Sequence, residues 1–582
     1  MAAAARLEER ISKTRLGVAL AAVIVAWLVI GPSRFSSWWL LAPAAAFAAL
    51  VVAHARARRG RRRAERGVAF YRRGLARLDG QWAGTGSPGT RFADPHHSYA
   101  ADLDIFGRGS LFELVSSART SVGEETLAAW LLAPADAATL AERQEAIRVL
   151  APQLDLREEL AVLGEEMSGA IQRDALRTLA APAAPSRLTA LRVGAAAVTA
   201  LTLVAIVAWA AGAAPPIVVL VMLAVQALVD WRLAGRVRDA DRAVAGHGPD
   251  LERIAEVLER FERAPLDSRL LTRLHADLVQ DGIRPSQAIR RLRLWVDLLD
   301  SRRNQFFTPI ALGTMWGVHC ALAIEAWRAR RGAAVEAWLA AVGQLEALCS
   351  LAGYAWEHPS DVYPAIEDGE PRFEAAALGH PLIPPDRCVT NDVALGPDTR
   401  VLIVSGSNMS GKSTLLRAVG VNAVLALAGA PVRASRLRLT RLALGATLRI
   451  QDSLEEGTSR FYAELVRLRD LVRIAEGPIP LLFLLDEILH GTNSHDRRLG
   501  AAAVVRGLLA RRAIGLVTTH DLALSALADD RDLSAANVHF EDRLEDGRMV
   551  FDYRMRPGVV RTSNALALMR ALGLIPADGA AR

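Results

Sequence analysis

Only two lysines occur in this chain, and one of them, Lys412, lies in a phosphate-binding motif. The segment 406–413 fits the pattern G-x-x-x-x-G-K-[ST], in which backbone amides surround the phosphates of a nucleotide. The apolar segment 401–404 reads as a buried parallel strand, and 414–419 opens an apolar helix. A compact ammonium reaches between β- and γ-phosphates in a way that a planar guanidinium cannot replace. This unit predicts an α/β P-loop domain that binds ATP.

The motif assigns a role to most of its residues. Lys412 is expected to contact the phosphates, while the Ser413 hydroxyl is expected to bind Mg²⁺. ATP and Mg²⁺ are therefore the expected cofactors. The predicted nucleotide-binding loop consists of Gly406, Ser407, Asn408, Met409, Ser410, Gly411, Lys412, Ser413 and Thr414.

Two apolar strands farther along the chain end in candidate catalytic residues. The segment 481–485 is followed by Asp486 and Glu487. An aspartate at a strand end can hold Mg²⁺ through water, and an adjacent glutamate can polarise the attacking water. The segment 514–519 is followed by His520, whose position in P-loop folds faces the γ-phosphate. We therefore expect Asp486 to be a metal ligand, and Glu487 and His520 to be catalytic.

A third segment, 457–464, contains Ser459 and opens an amphipathic helix. The N-terminus of a helix favours anions, because its backbone N–H groups and its dipole both attract negative charge. The chain's own phosphates already have a loop, so Ser459 is expected to serve the nucleotide of a neighbouring subunit. The segment therefore predicts a homodimer.

Long uncharged stretches predict membrane segments. Residues 16–33 and 35–55 are each about long enough to span a bilayer, and 193–229 is long enough for a hairpin broken at 212–216. Arginine and lysine flank both pairs but are nearly absent from the turns, which places both turns outside. We expect a multi-pass protein of the inner (cytoplasmic) membrane, with the ATPase domain in the cytoplasm. The alternative is that these stretches are buried helices of a large α-helical domain.

Two other segments have alternative interpretations. The uncharged stretch 305–324 is expected to be a core helix, since one extra span would move the nucleotide loop outside the cell, where there is no ATP. The arginine-rich segment 56–63 could bind nucleic acid or anionic lipid, but a topology determinant at a membrane exit is the favoured interpretation. Cys320, Cys349 and Cys388 are widely separated, which argues against a zinc site or a disulfide framework.

Six motifs follow one another between about Gly379 and Pro576. They are Gly379 to Ile383 with Asn391-Asp392, 406–414, Ser459 with Phe461 and Glu464, Asp486 to Ile488 with 491–496, Thr519-His520, and Tyr553 with Gly558 and Ser563. With these motifs the chain resembles the ATPase domain of the DNA mismatch-repair MutS family. The resemblance implies an ABC-like ATPase that works as a dimer, with each Ser459 completing the opposite site and Tyr553 stacking on adenine. Weaker similarity upstream, at 109–112, 120–123, 130–134, 143–147 and 346–352, implies the helical core of the family.

The chain also departs from the family pattern. It has no counterpart of the mismatch-reading domain, and Ser407 and Ser410 stand where the family usually has Pro and Gly. The stretch 193–229 falls where MutS proteins carry lever helices and a DNA clamp. These differences affect DNA reading more than they affect ATP binding.

The expected fold is a C-terminal α/β P-loop domain preceded by a mainly α-helical MutS-like core and transmembrane hairpins. The expected domains are a membrane hairpin with a basic exit (1–66), a helical core in two parts (95–186 and 233–372), a second membrane hairpin (187–232) and the ATPase domain (373–582). ATP binding and hydrolysis would open and close a dimeric helical core, with DNA as one expected partner. The alternative is a protein or lipid-linked partner with no DNA binding.

Overall fold

A computed structural model describes most of the chain as a helical region followed by an α/β domain. The described residues are 2–30, 37–165, 188–244, 248–264, 267–279, 282–305, 307–407, 409–448, 460–489, 494–520, 524–530, 533–545 and 548–560.

The helical region is built around one long central helix, α13, which contacts most of the other helices. The α-helices are α1 (Ala2–Ile30), α2 (Leu41–Leu78), α3 (Leu111–Val115), α4 (Ser121–Leu132), α5 (Ala137–Leu150), α6 (Leu154–Glu165), α7 (Leu188–Ala210), α8 (Pro216–Val244), α9 (Gly248–Arg263), α10 (Arg269–Leu278), α11 (Pro285–Ser301), α12 (Thr308–Gly313), α13 (Trp316–Glu357), α14 (Lys412–Ala428), α15 (Arg460–Ala475) and α16 (Ser494–Leu509).

The first predicted hairpin is present as α1 packed against α2. An ion pair of 3.3 Å between Glu8 and Arg61 shows that the helices run antiparallel, so the basic N-terminus lies beside the basic segment 56–63. Helix α2 does not end near the expected boundary at residue 66 but continues to Leu78. The extension is anchored in the core, where Arg77 pairs with Glu357 at the end of α13 at 2.6 Å.

The second predicted hairpin consists of α7 and α8, joined by the turn 211–215. It packs against the first half of α13, where Arg236 of α8 contacts Glu325 at 2.7 Å. Gln226 of α8 also donates to the carbonyl of Leu312 in α12 at 2.7 Å. Helix α8 also extends past the expected boundary at residue 232 and ends at Val244. Its last turns are amphipathic and bury Val237 in the helical core.

Five helices are long and apolar enough to cross a membrane, judged by length and composition over the described part of the chain. In four of them few or none of the residues in the apolar stretch are buried. In the fifth, Trp316–Glu357, most of that stretch is buried inside the helical region. The five helices are Arg6–Val29, Trp38–Leu78, Leu188–Ala210, Pro216–Val244 and Trp316–Glu357.

The ambiguous stretch 305–324 is divided between two helices. Helix α12 leaves Ile310 and Leu312 exposed, and Met315 then adopts a left-handed conformation, with φ of 49°, that separates α12 from α13. From Val318 to Ile324 nearly every side chain is buried. The second half of the stretch therefore lies in the helical core, as expected for a core helix, whereas the first half lies at the surface.

The α/β domain contains two sheets. A four-stranded sheet has the order β1-β5-β2-β3, and a six-stranded sheet has the order β10-β9-β4-β8-β7-β6. Strand β1 pairs with β5, so the domain begins before the expected boundary at residue 373. The strands are β1 (Ala365–Glu367), β2 (Phe373–Leu378), β3 (Asn391–Leu395), β4 (Val401–Ser405), β5 (Arg436–Thr440), β6 (Ala443–Thr447), β7 (Leu481–Asp486), β8 (Ile514–Thr519), β9 (Ala535–Glu545) and β10 (Arg548–Pro557).

Candidate nucleotide-binding site

The order of the six-stranded sheet brings the predicted site residues together. Strand β8 lies between β4 and β7, and both pairings are parallel. Ser405 at the end of β4 aligns with Thr519, and Asp486 at the end of β7 aligns with Thr518. The phosphate loop, the two acids and His520 therefore meet at one edge of the sheet, where ligands bind in open parallel sheets.

The loop after β4 turns tightly into helix α14. Gly406 and Gly411 have φ of 149° and 107°, values that side chains disfavour. A Cβ atom at Gly406 would lie 2.9 Å from Oγ of Ser410 and 3.0 Å from the carbonyl oxygen of Phe540. The Ser410 hydroxyl donates to the carbonyl of Ser407 at 2.8 Å and so closes the loop from inside. The loop thus accommodates Ser410, one of the two serines that depart from the family pattern.

Lys412 is buried at the bottom of the loop. Its Nζ donates to the carbonyls of Gly406 and Ser407 at 3.0 and 2.8 Å. Nζ also lies 3.5 Å from Nε2 of His520 and 3.8 Å from Oε1 of Glu487. Burial lowers the pKa of Lys412, while the nearby carboxylates of Glu487 and Asp486 oppose that shift. The ammonium is thus directed toward the place where a P-loop holds phosphate.

The two acids occupy different positions at the end of β7. Asp486 is the last residue of the strand, whereas Glu487 follows it in a left-handed conformation with φ of 49°. Oε1 of the Glu487 carboxylate contacts Nε2 of His520. Sequence reasoning did not identify Thr518 as a site residue. Its hydroxyl donates to the carboxylate of Asp486 and accepts from the backbone N–H of Glu487. The available signal was that Thr518 lies in β8, two residues before His520.

A cavity of about 40 Å³ lies beside Glu487 and His520. One water occupies roughly 10–15 Å³ of such volume, so the cavity is large enough for a water next to Glu487 and His520. Its lining residues are Glu487, Ile488, Arg497, Arg498, Ala501, Thr518, Thr519, His520 and Leu524.

Tyr553 lies at the opposite end of the loop. It sits in a bulge of β10 with φ of 53°, where Asn391 donates to its carbonyl at 3.0 Å and accepts from the N–H of Met555 at 2.7 Å. A Cβ atom at Gly411 would be only 3.2 Å from Cδ1 of Tyr553. The ring is half-exposed beside the start of α14, the side on which an adenine could stack.

Some predicted site residues have no described contacts. Ser413 and Thr414 lie in the first turn of α14, directly after Lys412. Asn408 and Ser459 lie outside the described residues. The predicted helix of the segment 457–464, here called the signature segment, is described from Arg460 onward as α15, the signature helix.

Helix α15 is joined to the helical region. Asp102, which is fully buried, accepts from the N–H of Leu448 at 2.8 Å and pairs with Arg467 of α15 at 3.0 Å. Ser98 donates its hydroxyl to the carbonyl of Leu444 in β6 at 3.0 Å. The segment 98–102 therefore connects the helical region to both a strand and the signature helix of the α/β domain.

The available donors suit Mg²⁺ held together with a nucleotide. Over the described residues, no three His, Cys, Asp or Glu side chains form a complete metal cage. Ser413 and Asp486 offer the hydroxyl and carboxylate oxygens that Mg²⁺ prefers, and phosphates and waters supply the remaining ligands in such sites.

Sequence comparisons with known proteins match the part of the chain that contains this site. The family model of MutS domain V matches residues 402–578. The endonuclease MutS2 of Thermus thermophilus is 35% identical over 205 residues, covering 35% of this chain and 26% of that protein. The endonuclease MutS2 of Shouchella clausii is 30% identical over 237 residues, covering 40% of this chain and 29% of that protein.

A third relative has a similar level of identity. The DNA mismatch repair protein MutS 2 of Halobacterium salinarum is 32% identical over 254 residues, covering 42% of this chain and 29% of that protein. The chain thus spans less than a third of the length of each of these curated relatives.

Proposed function

We propose that the chain is a membrane-anchored, MutS-related ATPase, because residues 402–578 match the family model of MutS domain V. ATP binding and hydrolysis drive the opening and closing of a dimeric helical core. The observation that carries the proposal is the convergence of Lys412, Asp486, Glu487 and His520 at one edge of the six-stranded sheet.

The geometry supports a division of roles among these residues. Lys412 binds the phosphates, and Ser413 and Asp486 hold Mg²⁺, which when bound neutralises charge on the phosphates. Glu487 lies beside the cavity and accepts a proton from the attacking water, while His520 orients its carboxylate through the contact between Nε2 and Oε1. Tyr553 stacks on the adenine.

Exposed apolar side chains near the signature segment support a dimer. Tyr462 and Leu465 of α15 and Leu499 of α16 are all exposed, and the first two follow Ser459 closely in sequence. Exposed apolar side chains of this kind suit contact with a second copy of the chain. We propose that this surface faces the partner, so that Ser459 reaches the partner's nucleotide.

The two hairpins support insertion in the inner membrane. Ile24 and Trp27 of α1, Val204 of α7, and Leu220 and Trp231 of α8 are all more than half exposed. Such apolar surfaces are unfavourable in water and favourable in contact with the hydrocarbon of a lipid bilayer. The basic residues at the hairpin ends support a cytoplasmic position for the ATPase domain.

The connection through Asp102 supports coupling between the site and the core. Arg467 belongs to the helix that follows Ser459, and Asp102 belongs to the helical region. A shift of α15 on nucleotide binding would therefore move the segment 98–102, because the buried ion pair and its backbone hydrogen bond are costly to break.

Two classes of partner are considered for the helical core, DNA and a protein or lipid-linked molecule. The name of one relative, a DNA mismatch repair protein, supports DNA as the partner. The surface of the second hairpin supports a protein or a lipid-linked molecule instead. That hairpin exposes valine, leucine and tryptophan where DNA contact requires Lys or Arg to neutralise phosphates. We favour the second class.

Two measurements on the purified full chain test the proposal. Wild type should hydrolyse ATP in a Mg²⁺-dependent manner, and Lys412→Ala should not. A wild-type chain that hydrolyses no ATP in detergent or in lipid would contradict the proposal. Binding to duplex, mismatched and branched DNA should be absent even at about 50 mM salt, whereas binding that weakens steeply with salt would establish DNA as the partner.

A further inference from the structure

The turn that carries Glu487 is held by side chains from two other elements. Resting on the proposed ATPase function, we infer that Thr518 of β8 and Glu464 of α15 are positioning residues for hydrolysis. They fix the turn 486–489, and through it the metal-binding carboxylate of Asp486 and the general base Glu487. Neither residue needs to touch the nucleotide to act in this way.

The turn has an unusual backbone. Glu487 and Leu489 both lie in the left-handed region, with φ of 49° and 62°, although neither is a glycine. Such conformations are disfavoured for residues with a side chain, and they persist only where surrounding contacts hold them. Each of the two backbone N–H groups has a side-chain acceptor from outside the turn. These acceptors are the contacts that hold the turn.

Thr518 holds the first half of the turn. Its hydroxyl accepts from the N–H of Glu487 at 3.0 Å and donates its own proton to a carboxylate oxygen of Asp486. The side chain is buried, and the register of β7 with β8 sets it directly beside Asp486. One hydroxyl therefore orients the metal-binding acid and fixes the backbone of the base at the same time.

Glu464 holds the second half. Its carboxylate accepts from the N–H of Leu489, and the side chain is fully buried. Glu464 lies on α15, the helix that follows Ser459. The segment expected to contact the partner's nucleotide is thus attached to the turn that serves the chain's own nucleotide. This attachment gives the two sites of a dimer a direct physical connection.

A nearby threonine provides a matched control. Thr447 ends the neighbouring strand β6, is fully buried and has a hydroxyl with no hydrogen-bond partner among the described residues. Replacing either threonine by valine removes a hydroxyl and keeps the shape of the side chain. Only the change at Thr518 removes hydrogen bonds to the acid turn, so the pair separates positioning from packing.

The first experiment compares Thr518→Val, Thr518→Ser and Thr447→Val in the purified full chain. Thr518→Val should lower kcat about tenfold, or about 1.4 kcal/mol in transition-state free energy, with the KM for ATP within about twofold of wild type. It should also raise the Mg²⁺ concentration needed for half-maximal activity, because Asp486 loses its orienting donor. Thr518→Ser keeps the hydroxyl and should restore both values, and Thr447→Val should match wild type.

The outcomes distinguish this inference from the proposed function. If wild type hydrolyses ATP and Thr518→Val does so equally well, the positioning role is wrong. An equal loss in Thr447→Val, or a loss that Thr518→Ser does not reverse, would assign the effect to packing and also overturn the inference. Retained binding of a fluorescent ATP analogue shows that a variant is folded. Absence of hydrolysis by wild type would instead overturn the proposed function.

A second experiment tests whether the two residues act on the same turn. Glu464→Gln retains a carbonyl acceptor and should keep most of the activity, whereas Glu464→Met has similar length without the acceptor and should lower kcat. In the double variant Thr518→Val/Glu464→Met, the loss should be smaller than the product of the single losses, since the first change already releases the turn. Losses that multiply would mean that the two side chains act independently, and a shared positioning role would be excluded.

Discussion

Nζ of Lys412 lies 3.8 Å from a carboxylate oxygen of Glu487, at the buried end of the phosphate loop. These two residues are assigned different tasks, one on the phosphates and one on the attacking water. Their proximity means that each affects the charge of the other, since burial lowers the pKa of Lys412 and Glu487 opposes that shift. In the proposed function both tasks fall to groups in one small cluster, because Glu487 also contacts His520.

The two roles can be separated by substitution. Lys412→Ala should abolish ATP binding, because the buried ammonium is the cation that contacts the phosphates. Glu487→Gln should keep ATP binding, abolish hydrolysis and accumulate an ATP-bound dimer, since the amide cannot accept the proton of water. The measurements are the affinity for ATP, the rate of ATP hydrolysis, and the molecular mass by size-exclusion chromatography, which reports the dimer. Equal loss of ATP binding in both variants would remove Glu487 as the base.

Tyr553 should contribute to binding through the base of the nucleotide only. Its ring lies against Gly411 beside the loop. Tyr553→Ala should raise the Kd for ATP about tenfold, as stacking of a base on an aromatic ring is worth about 1–3 kcal/mol. Tyr553→Phe keeps the ring and should bind like wild type. Inhibition by inorganic tripolyphosphate, which has no base, should be the same in all three proteins, and a change there would refute the stacking role.

Hydrolysis should require two chains. Ser459→Arg and Lys412→Ala should each be inactive alone, since the first disrupts the opposite site and the second disrupts its own. Mixing them should restore about a quarter of the wild-type rate, because random pairing in a two-fold dimer makes half heterodimers with one intact site each. The measurement is the rate of ATP hydrolysis against mixing ratio. No recovery at any ratio would exclude action of Ser459 across the dimer.

The topology should place both hairpin turns outside the cell. Cysteines introduced at Ser33 and Ala213, with the native cysteines replaced, should react with an impermeant thiol reagent in intact cells. A cysteine at Gly60, within the exposed basic segment, should react only after permeabilisation. Labelling at Ser33 without labelling at Ala213 would show that α7 and α8 form an interface rather than a membrane element.

Acid should destabilise the α/β domain through His380. Its Nδ1 accepts from the N–H of Leu382 at 3.2 Å, and burial lowers its pKa from 6.5 to about 4. The folded state keeps this imidazole neutral while the unfolded chain protonates it, so the free energy of unfolding falls as pH drops from about 6.5 to about 4. The loss is at most about 3 kcal/mol.

The His380 prediction is checked with thermal unfolding of the full chain in detergent at several pH values. His380→Asn offers an oxygen in place of Nδ1 and cannot titrate, so its midpoint should depend less on pH over this window. His96→Asn alters an exposed histidine and should behave like wild type. An unchanged pH dependence in His380→Asn would contradict the prediction.

Sequence alone identified the parts of the site that local chemistry dictates. The strand at 401–404, the glycines of the loop and the helix that follows form a continuous unit, and the structure confirms the strand and the helix. The acids and His520 were also recognisable, because each follows an uninterrupted apolar strand. The two uncharged hairpins were visible for a similar reason, since the length of an apolar stretch is a local property.

Only the tertiary structure decided how these parts meet. The placement of β8 between β4 and β7 brings residues far apart in sequence to one edge, and periodicity contains no information about strand order. The helices α2 and α8 extend past their expected ends because packing on the core, rather than local composition, stabilises their last turns. The contacts of Thr518 and Glu464 with the acid turn are likewise set by strand register and helix docking, which depend on the free energy of the whole fold.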